Sequence, residues 1–148
     1  MVSERIINKM DASAHAYTEF VNSFKRELEK NVTIRNISKK EVAGRVHSID
    51  FDINDDYSIG IWTNWLVYMN TVAVIVSLCK KYKFAGNAVN VVIGELWINH
   101  NPDEPFVFGE SYSKPKDKFT NELWPKILSA VNNVIDEINI RYNDGGKE

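Results

Sequence analysis

The sequence predicts an α+β fold in which a mostly antiparallel sheet of about five strands is flanked by helices. Near both ends of the chain, apolar residues recur at three- and four-residue intervals, which is typical of amphipathic helices. Between those ends, apolar and polar residues alternate with the period of two that strands show. The predicted element order is α-β-β-β-α-β-β-α, in one domain over residues 1–148 with a loose tail at 143–148.

The first helix is predicted from about Ser3 to Lys30. One apolar stripe follows it at helical spacing: Ile6, Met10, Ala14, Tyr17, Val21, Phe24 and Leu28. Such a helix is roughly 36–40 Å long, whereas a domain of this size has a radius of gyration of about 15 Å. We therefore expect one end to overhang the core, and a second copy of the chain to cover the Ile6–Tyr17 half. The alternative is a helix broken near Ser13.

A β-hairpin is predicted in the next segment, after a short candidate strand at residues 32–37. Val46 to Ile53 alternates apolar and polar residues, and Tyr57 to Thr63 continues the same pattern. Asn54–Asp56 lies between them and supplies residues that tolerate left-handed turn conformations. The two segments are therefore expected to pair antiparallel.

The segment from Leu66 to Phe84 is compatible with two structures. Its β-branched run at residues 72–76 fits a buried strand. Three other features favour a buried helix: a cap at Asn70 or Thr71, the basic residues within Lys80–Lys83 near the end, and the glycine that follows. We predict the helix.

The rest of the chain is predicted as two strands and a helix. Ala88 to Asn99 is apolar on both faces and is expected to be a central strand, with Ile93 and Trp97 sharing a buried face. A further strand begins at residues 106–108. The last helix runs from about Glu122 to Tyr142, with Pro125 tolerated in its first turn.

Charge and composition restrict the kind of partner. The net charge is −2, and the 18 basic and 20 acidic residues are well mixed, so neither a nucleic-acid partner nor a membrane partner is expected. The longest apolar segment, Trp65–Cys79, is shorter than the ~20 residues that span a bilayer. With no secretory signal pattern and a single cysteine, the protein is expected in the cytoplasm.

Motifs for enzyme chemistry are missing from the sequence. No phosphate-binding glycine loop, nucleophile elbow, cysteine pair or His-x-x-x-His spacing is present, so we predict no cofactor and no metal, and do not expect an enzyme. Asp50 and Asp52 share one strand face and could hold a divalent cation. A solvated strand face explains the two aspartates equally well, and we adopt that interpretation.

Large aromatic and polar residues supply the candidate site. Trp62 and Trp65 lie three residues apart, so one strand cannot bury both. One of them is a candidate anchor for a protein partner, together with the first-helix residues Tyr17, Met10 and Ile6. A second set of candidates would bind a small ligand: Glu95 and Glu110 on neighbouring strands, and His100 in a loop.

The predicted order of elements over residues 3–142 resembles that of the class I chaperones of type III secretion. That resemblance implies a small acidic homodimer that wraps an unfolded segment of another protein. Toxin-immunity proteins and phage-encoded inhibitors are similar in composition. The expected function is a non-catalytic protein-binding module of one of these types. The alternative is a small-ligand-binding protein or small enzyme with a pocket between the sheet and the middle helix.

Overall fold

The computed structural model describes residues 4–42, 44–66, 71–100, 103, 108–115 and 122–144. The elements follow in this order: helix α1 (Glu4–Glu29), strands β1 (Arg35–Val42), β2 (Arg45–Asp52), β3 (Tyr57–Leu66), β4 (Thr71–Phe84), β5 (Asn87–His100) and β6 (Phe108–Pro115), then helix α2 (Leu123–Asn139), which continues into a π-helical turn (Ile140–Asp144).

The six strands form one antiparallel sheet in which each strand pairs with its neighbours in sequence, in the order β1 to β6. The α+β class and the antiparallel sheet are thereby confirmed. The sheet has one strand more than expected, and the helices stand before and after it rather than within it. The order that resembled the type III secretion chaperones therefore lacks its middle helix.

The predicted middle helix is wrong, because residues 71–84 form strand β4. This strand pairs with β3 from Thr71 to Lys80 and with β5 from Val72 to Phe84. Every residue from Val72 to Leu78 is buried, on both faces of the strand. The β-branched residues 72–76 suit a strand that pairs along both edges and is buried on both faces. Thr71, one of the two candidate caps, is the first residue of β4 instead, and Asn70 lies outside the described residues.

The predicted hairpin is confirmed. Strands β2 and β3 pair antiparallel, with Ser48 opposite Trp62 at one end of the pairing and Asp52 opposite Ser58 at the other. The Asn54 side chain accepts hydrogen bonds from the backbone N–H groups of Asp56 and Tyr57, at 2.8 Å each, and so holds the turn. Strand β1 begins three residues later than the first candidate strand and extends to Val42.

Both helices pack on the same face of the sheet, which we call the helix face. One register row of this face is formed by Ile49, Ile61, Val76 and Leu96. These four join residues of α1 and α2 in a single apolar core. The ion pairs Arg26–Glu137 (3.2 Å) and Arg141–Glu19 (2.9 Å) connect α1 with the C-terminal helical segment at the surface. The opposite side of the sheet, the outer face, contains Trp62, Ile75 and Trp97.

A β-bulge explains why one prediction about β5 is wrong. Leu78 pairs with Gly94 and the next residue, Cys79, pairs with Val92, so Ile93 is an extra residue in the strand. Ile93 joins the core under the helices, whereas Trp97 lies on the outer face. Simple alternation predicts Ile93 and Trp97 on one face of β5. The extra residue shifts the alternation by one position, so the two side chains point to opposite faces.

Helix α1 is continuous through Ser13, so the alternative with a break there is wrong. Of the described side chains from Glu4 to Ala12, none is buried, whereas buried residues recur from Ser13 to Leu28. The described side chains before Lys9 are therefore the most exposed part of α1, whereas Lys9, Met10 and Ala12 are half-buried. The predicted tail overlaps the π-helical turn at residues 143–144, and its remainder lies outside the described residues.

Candidate functional site

Strands β4 and β5 continue past the described ends of β3 and β6 and form a projecting β-hairpin. The last residue of β4 that pairs with β3 is Lys80, and β5 pairs with β6 from Gly94 onward. Residues 80–91 of these two strands pair with each other, and of them only Lys80 also pairs with another described strand, β3. We call this segment the arm. Its two-residue turn, Ala85-Gly86, has positive φ at both positions (52° and 82°), as a type I′ turn requires.

One face of the arm is apolar and uncovered. Tyr82 pairs with Val89 and Lys80 with Val91, so these side chains and that of Phe84 point to the same side as the helix face. Their exposed fractions are high: Tyr82 45%, Phe84 75%, Val89 41% and Val91 43%. Isolated exposed apolar residues are ordinary, whereas four on one face of a projecting hairpin mark an interaction surface.

The arm is also basic. Between Tyr57 and Gly94 the sequence contains three lysines and no acidic residue. The ammonium group of Lys80 lies 5.2 Å from the centre of the Tyr82 ring, on the apolar face. Lys83 is exposed on the opposite face, near the turn. Lys81 bonds to Asp52 at 2.7 Å and so ties the base of the arm to β2.

Asp52 holds three strands together at this base. Its carboxylate accepts hydrogen bonds from Lys81 and, at 2.7 Å, from the Asn36 side chain on β1. Partial burial raises the pKa of Asp52, but the bonds from Lys81 and Asn36 outweigh that effect, and the pKa lies below its ordinary value. Asn36 itself has φ 57°, a conformation that asparagine tolerates.

A cavity of about 280 Å³ opens at the same end of the molecule, between the two helices and the end of β2. Its apolar lining consists of Leu28, Val32, Ile53, Leu123, Ile127 and Ala130. Lys126 and Glu27 stand among its polar lining residues. Glu27 forms an ion pair with Lys30 at 2.8 Å; that hydrogen bond is the main cause of a lowered pKa for Glu27, against a smaller opposing effect of burial.

The cavity and the arm are joined by one row of the sheet. Ile53, which lines the cavity, donates its N–H to the carbonyl of Tyr57 at 3.1 Å. Tyr57 pairs with Lys80, and Lys80 pairs with Val91 of the arm. We call the cavity, this row and the apolar face of the arm together the arm groove.

The candidate residues Trp62 and Glu95 lie elsewhere, on the outer face. Trp62 and Trp97 meet edge to face, with ring centroids 6.1 Å apart, and Ile75 between their strands is fully buried. The indole N–H of Trp97 donates to the Glu95 carboxylate at 3.2 Å. Both tryptophans are half-buried, so they form a small cluster that covers the outer side of β4.

The candidates on α1 divide between core and surface. Tyr17 is buried, and its hydroxyl donates to the carbonyl of Ile61 in the sheet. Burial raises the pKa of Tyr17, and a backbone hydrogen bond at Ile49 lowers it by less, so the hydroxyl stays protonated. Met10 is half-buried. The side chain of Ile6 lies outside the described residues, as does that of Trp65 on β3.

The two proposed ligand-binding glutamates occupy separate positions along their strands. Glu95 pairs in register with Lys114, whereas Ile98 pairs with Ser111, the residue after Glu110. Four residues along a strand correspond to roughly 13 Å. His100 ends β5, where it pairs with Phe108, and is not a loop residue. The side chains of Glu110 and His100 lie outside the described residues.

The sequence reasoning missed the arm groove, because Lys80–Lys83 was interpreted as the end of a helix. The signal that could have found it is the alternation on either side of Ala85-Gly86. Tyr82 and Phe84 precede that pair, and Val89 and Val91 follow it.

Within the described part of the chain, no group of three or more His, Cys, Asp or Glu side chains is placed to hold a metal ion. None of the described helices is long and apolar enough to cross a membrane. Comparison with protein families, curated proteins and solved structures finds no match for this chain.

Proposed function

We propose that this protein is a non-catalytic protein-binding module that acts in the cytoplasm and holds its partner in the arm groove. The observation that carries the proposal is the apolar face of the arm, where four large side chains are between 41% and 75% exposed. Cross-strand pairs such as Tyr82–Val89 stabilise the hairpin, but much of their apolar surface stays in water. Burying them against a partner is favourable, at roughly 25 cal/mol per Å² of apolar surface.

The type I′ turn supports the same proposal. Ala85 occupies a left-handed backbone conformation that costs a non-glycine residue roughly 1–2 kcal/mol. A short two-residue turn keeps the two strands paired to their ends, so the apolar residues are presented in one fixed arrangement. Chaperones, immunity proteins and inhibitors of the kind expected from the sequence all need such a preformed contact surface.

Site-specific photo-crosslinking tests the proposal. A benzoylphenylalanine residue is placed at position 84, on the apolar face, and in a matched variant at position 90, on the opposite face of the same arm. In extracts of cells that make the protein, position 84 should give one discrete protein adduct that position 90 does not give. The same adducts from both positions, or none from either, would contradict the proposal.

The alternative function is a small-ligand-binding protein. Its expected pocket between the sheet and a middle helix does not exist, since residues 71–84 are a strand. The cavity between α1, α2 and β2 is the site that supports this alternative. At about 280 Å³ it is at the lower limit of the ~300–1,000 Å³ typical of ligand pockets. A thermal-shift screen of metabolites, in which a ligand of the native state raises the Tm, tests it.

A further inference from the structure

The arm groove recognises its partner through a face of the sheet and not through a strand edge. The exposed apolar side chains, Tyr82, Phe84, Val89 and Val91, all project from one face of the arm. A partner strand added at the edge would pair backbone groups and leave these side chains uncovered. The partner must therefore present an apolar face of its own. The simplest single segment that does so is an amphipathic helix.

The charges around the groove determine what the rest of that helix carries. Lys80 stands on the groove side of the arm, and Lys126 stands beside the cavity. Among the described residues that line the cavity, the acidic one, Glu27, is paired with Lys30. A helix whose flanks carry aspartate or glutamate complements these lysines, whereas a basic helix is repelled.

The same charges argue against a second copy of this chain in the groove. A two-fold pairing of arm grooves would bring the face that carries Lys80 and Lys126 against the same face of a second copy. Like charges brought together at an interface suppress association. The occupant is thus a different protein.

From these observations we infer that the arm groove binds an acidic amphipathic helix of a partner protein. One large apolar side chain of that helix enters the cavity, its apolar stripe covers the arm, and its acidic flanks meet Lys80 and Lys126. This inference rests on the proposed function and names the chemistry of the partner.

Two synthetic helical peptides of 18 residues test the inference by fluorescence anisotropy. Both carry leucine and phenylalanine at positions i, i+3, i+4 and i+7; the first has glutamate at the remaining positions and the second has lysine. The acidic peptide should bind the wild-type chain at least about tenfold more tightly than the basic one. Its affinity should fall severalfold as the ionic strength rises from ~0.01 M to ~0.15 M, because the Debye length shortens from about 30 to 8 Å.

Arm variants identify the site. Phe84→Ser should weaken binding of the acidic peptide by about tenfold or more, as loss of an aromatic anchor does. Lys80→Glu, on the groove side, should weaken the acidic peptide and strengthen the basic one, an exchange of preference that simple unfolding cannot produce. Ala88→Ser and Asn90→Ser, on the opposite face of the arm, should leave both affinities unchanged.

Three results would overturn the inference. Equal affinity for both peptides would show an apolar surface without charge selection, and binding of neither would show that the helix is not the occupant. Binding to phosphatidylserine vesicles that Phe84→Ser abolishes, with no peptide binding, would assign the arm to lipid. If the crosslink from position 84 still yields a discrete protein in any of these cases, the proposed function stands and only the chemistry of the partner is wrong.

Discussion

Two buried serines on α1 show how much a single hydroxyl group contributes to stability. Ser13 and Ser23 are both fully buried on the same helix. The Ser23 hydroxyl accepts a hydrogen bond from the Arg26 guanidinium at 2.9 Å, whereas the Ser13 hydroxyl has no partner among the described residues. An unpartnered buried hydroxyl costs free energy that a partnered one recovers.

The same substitution at these positions should therefore have opposite effects. Ser13→Ala removes the unpartnered group and improves helix propensity, so the free energy of unfolding should rise by about 1 kcal/mol. Ser23→Ala gains the same propensity but loses a bond to a charged group, and should lower it by about 1 kcal/mol. Urea denaturation of the two variants and wild type measures both. A loss of stability in Ser13→Ala would mean that its hydroxyl has a partner after all.

Asp52 makes stability depend on pH in the acid range. Because folding lowers the pKa of this carboxyl group, its contribution is complete above the ordinary value of about 4. That contribution is lost as the pH falls through the lower pKa of the folded state. Asp52→Asn should therefore lower the free energy of unfolding by about 1 kcal/mol at neutral pH and by progressively less in acid.

Denaturation of the Asp52→Asn variant and wild type at several pH values measures this convergence. Asp55→Asn is the matched control, because Asp55 lies in the turn that follows Asp52 and its side chain is almost fully exposed. This control should change stability little at any pH. A difference between Asp52→Asn and wild type that stays constant into acid would show that the carboxylate charge is not what stabilises the base of the arm.

At the scale of elements, two glycines in the strands have opposite surroundings. A Cβ atom added at Gly94 would lie 3.0–3.2 Å from the six-membered ring of Trp124, whereas one added at Gly60 would meet nothing within 4 Å. Gly94 thus lets α2 place its tryptophan directly on β5. Gly60 lies on the outer face of β3, in the row between Asp50 and Ser77.

Gly94→Ala should lower the free energy of unfolding by about 1–3 kcal/mol, because the ring must move away from the strand. Gly60→Ala should be neutral or slightly stabilising, since alanine restricts the unfolded chain and nothing opposes its methyl group. Thermal unfolding of both variants, with Trp fluorescence as the probe, distinguishes the two. Equal losses would indicate that intrinsic strand preference, and not contact with Trp124, governs both positions.

The elements also show what could be predicted from the sequence. The hairpin at Asn54–Asp56 was predictable because alternation and turn chemistry are local properties. Strand β4 was not, since its residues are buried on both faces and a continuous apolar run has no period that distinguishes strand from helix. The bulge at Ile93 was not predictable either, because it arises where the residues on either side of Ile93 pair with Leu78 and Cys79 of the next strand. The arm depends on where β3 stops pairing with β4, which no local pattern records.

At the scale of the whole molecule, the homodimer remains a prediction, and the exposed start of α1 is its predicted contact. Ile7 is 40% exposed there, and Ile37 on β1 is 47% exposed, far from it in sequence. If two copies pair through the first turns of α1, sedimentation equilibrium at micromolar concentration should give a dimer that Ile7→Glu dissociates. Ile37→Glu should leave the dimer intact. A single 17.0 kDa species for the wild-type chain would exclude the pairing.

The order of strands has a consequence for synthesis on the ribosome. Each strand pairs with the one made just before it, so the sheet can assemble progressively as the chain emerges. Helix α2 supplies half of the cover for that sheet, and it emerges only after β6. Until then, residues such as Val76 and Leu96 on the helix face are without their α2 neighbours. The nascent chain is therefore most exposed to aggregation during the last steps of its translation.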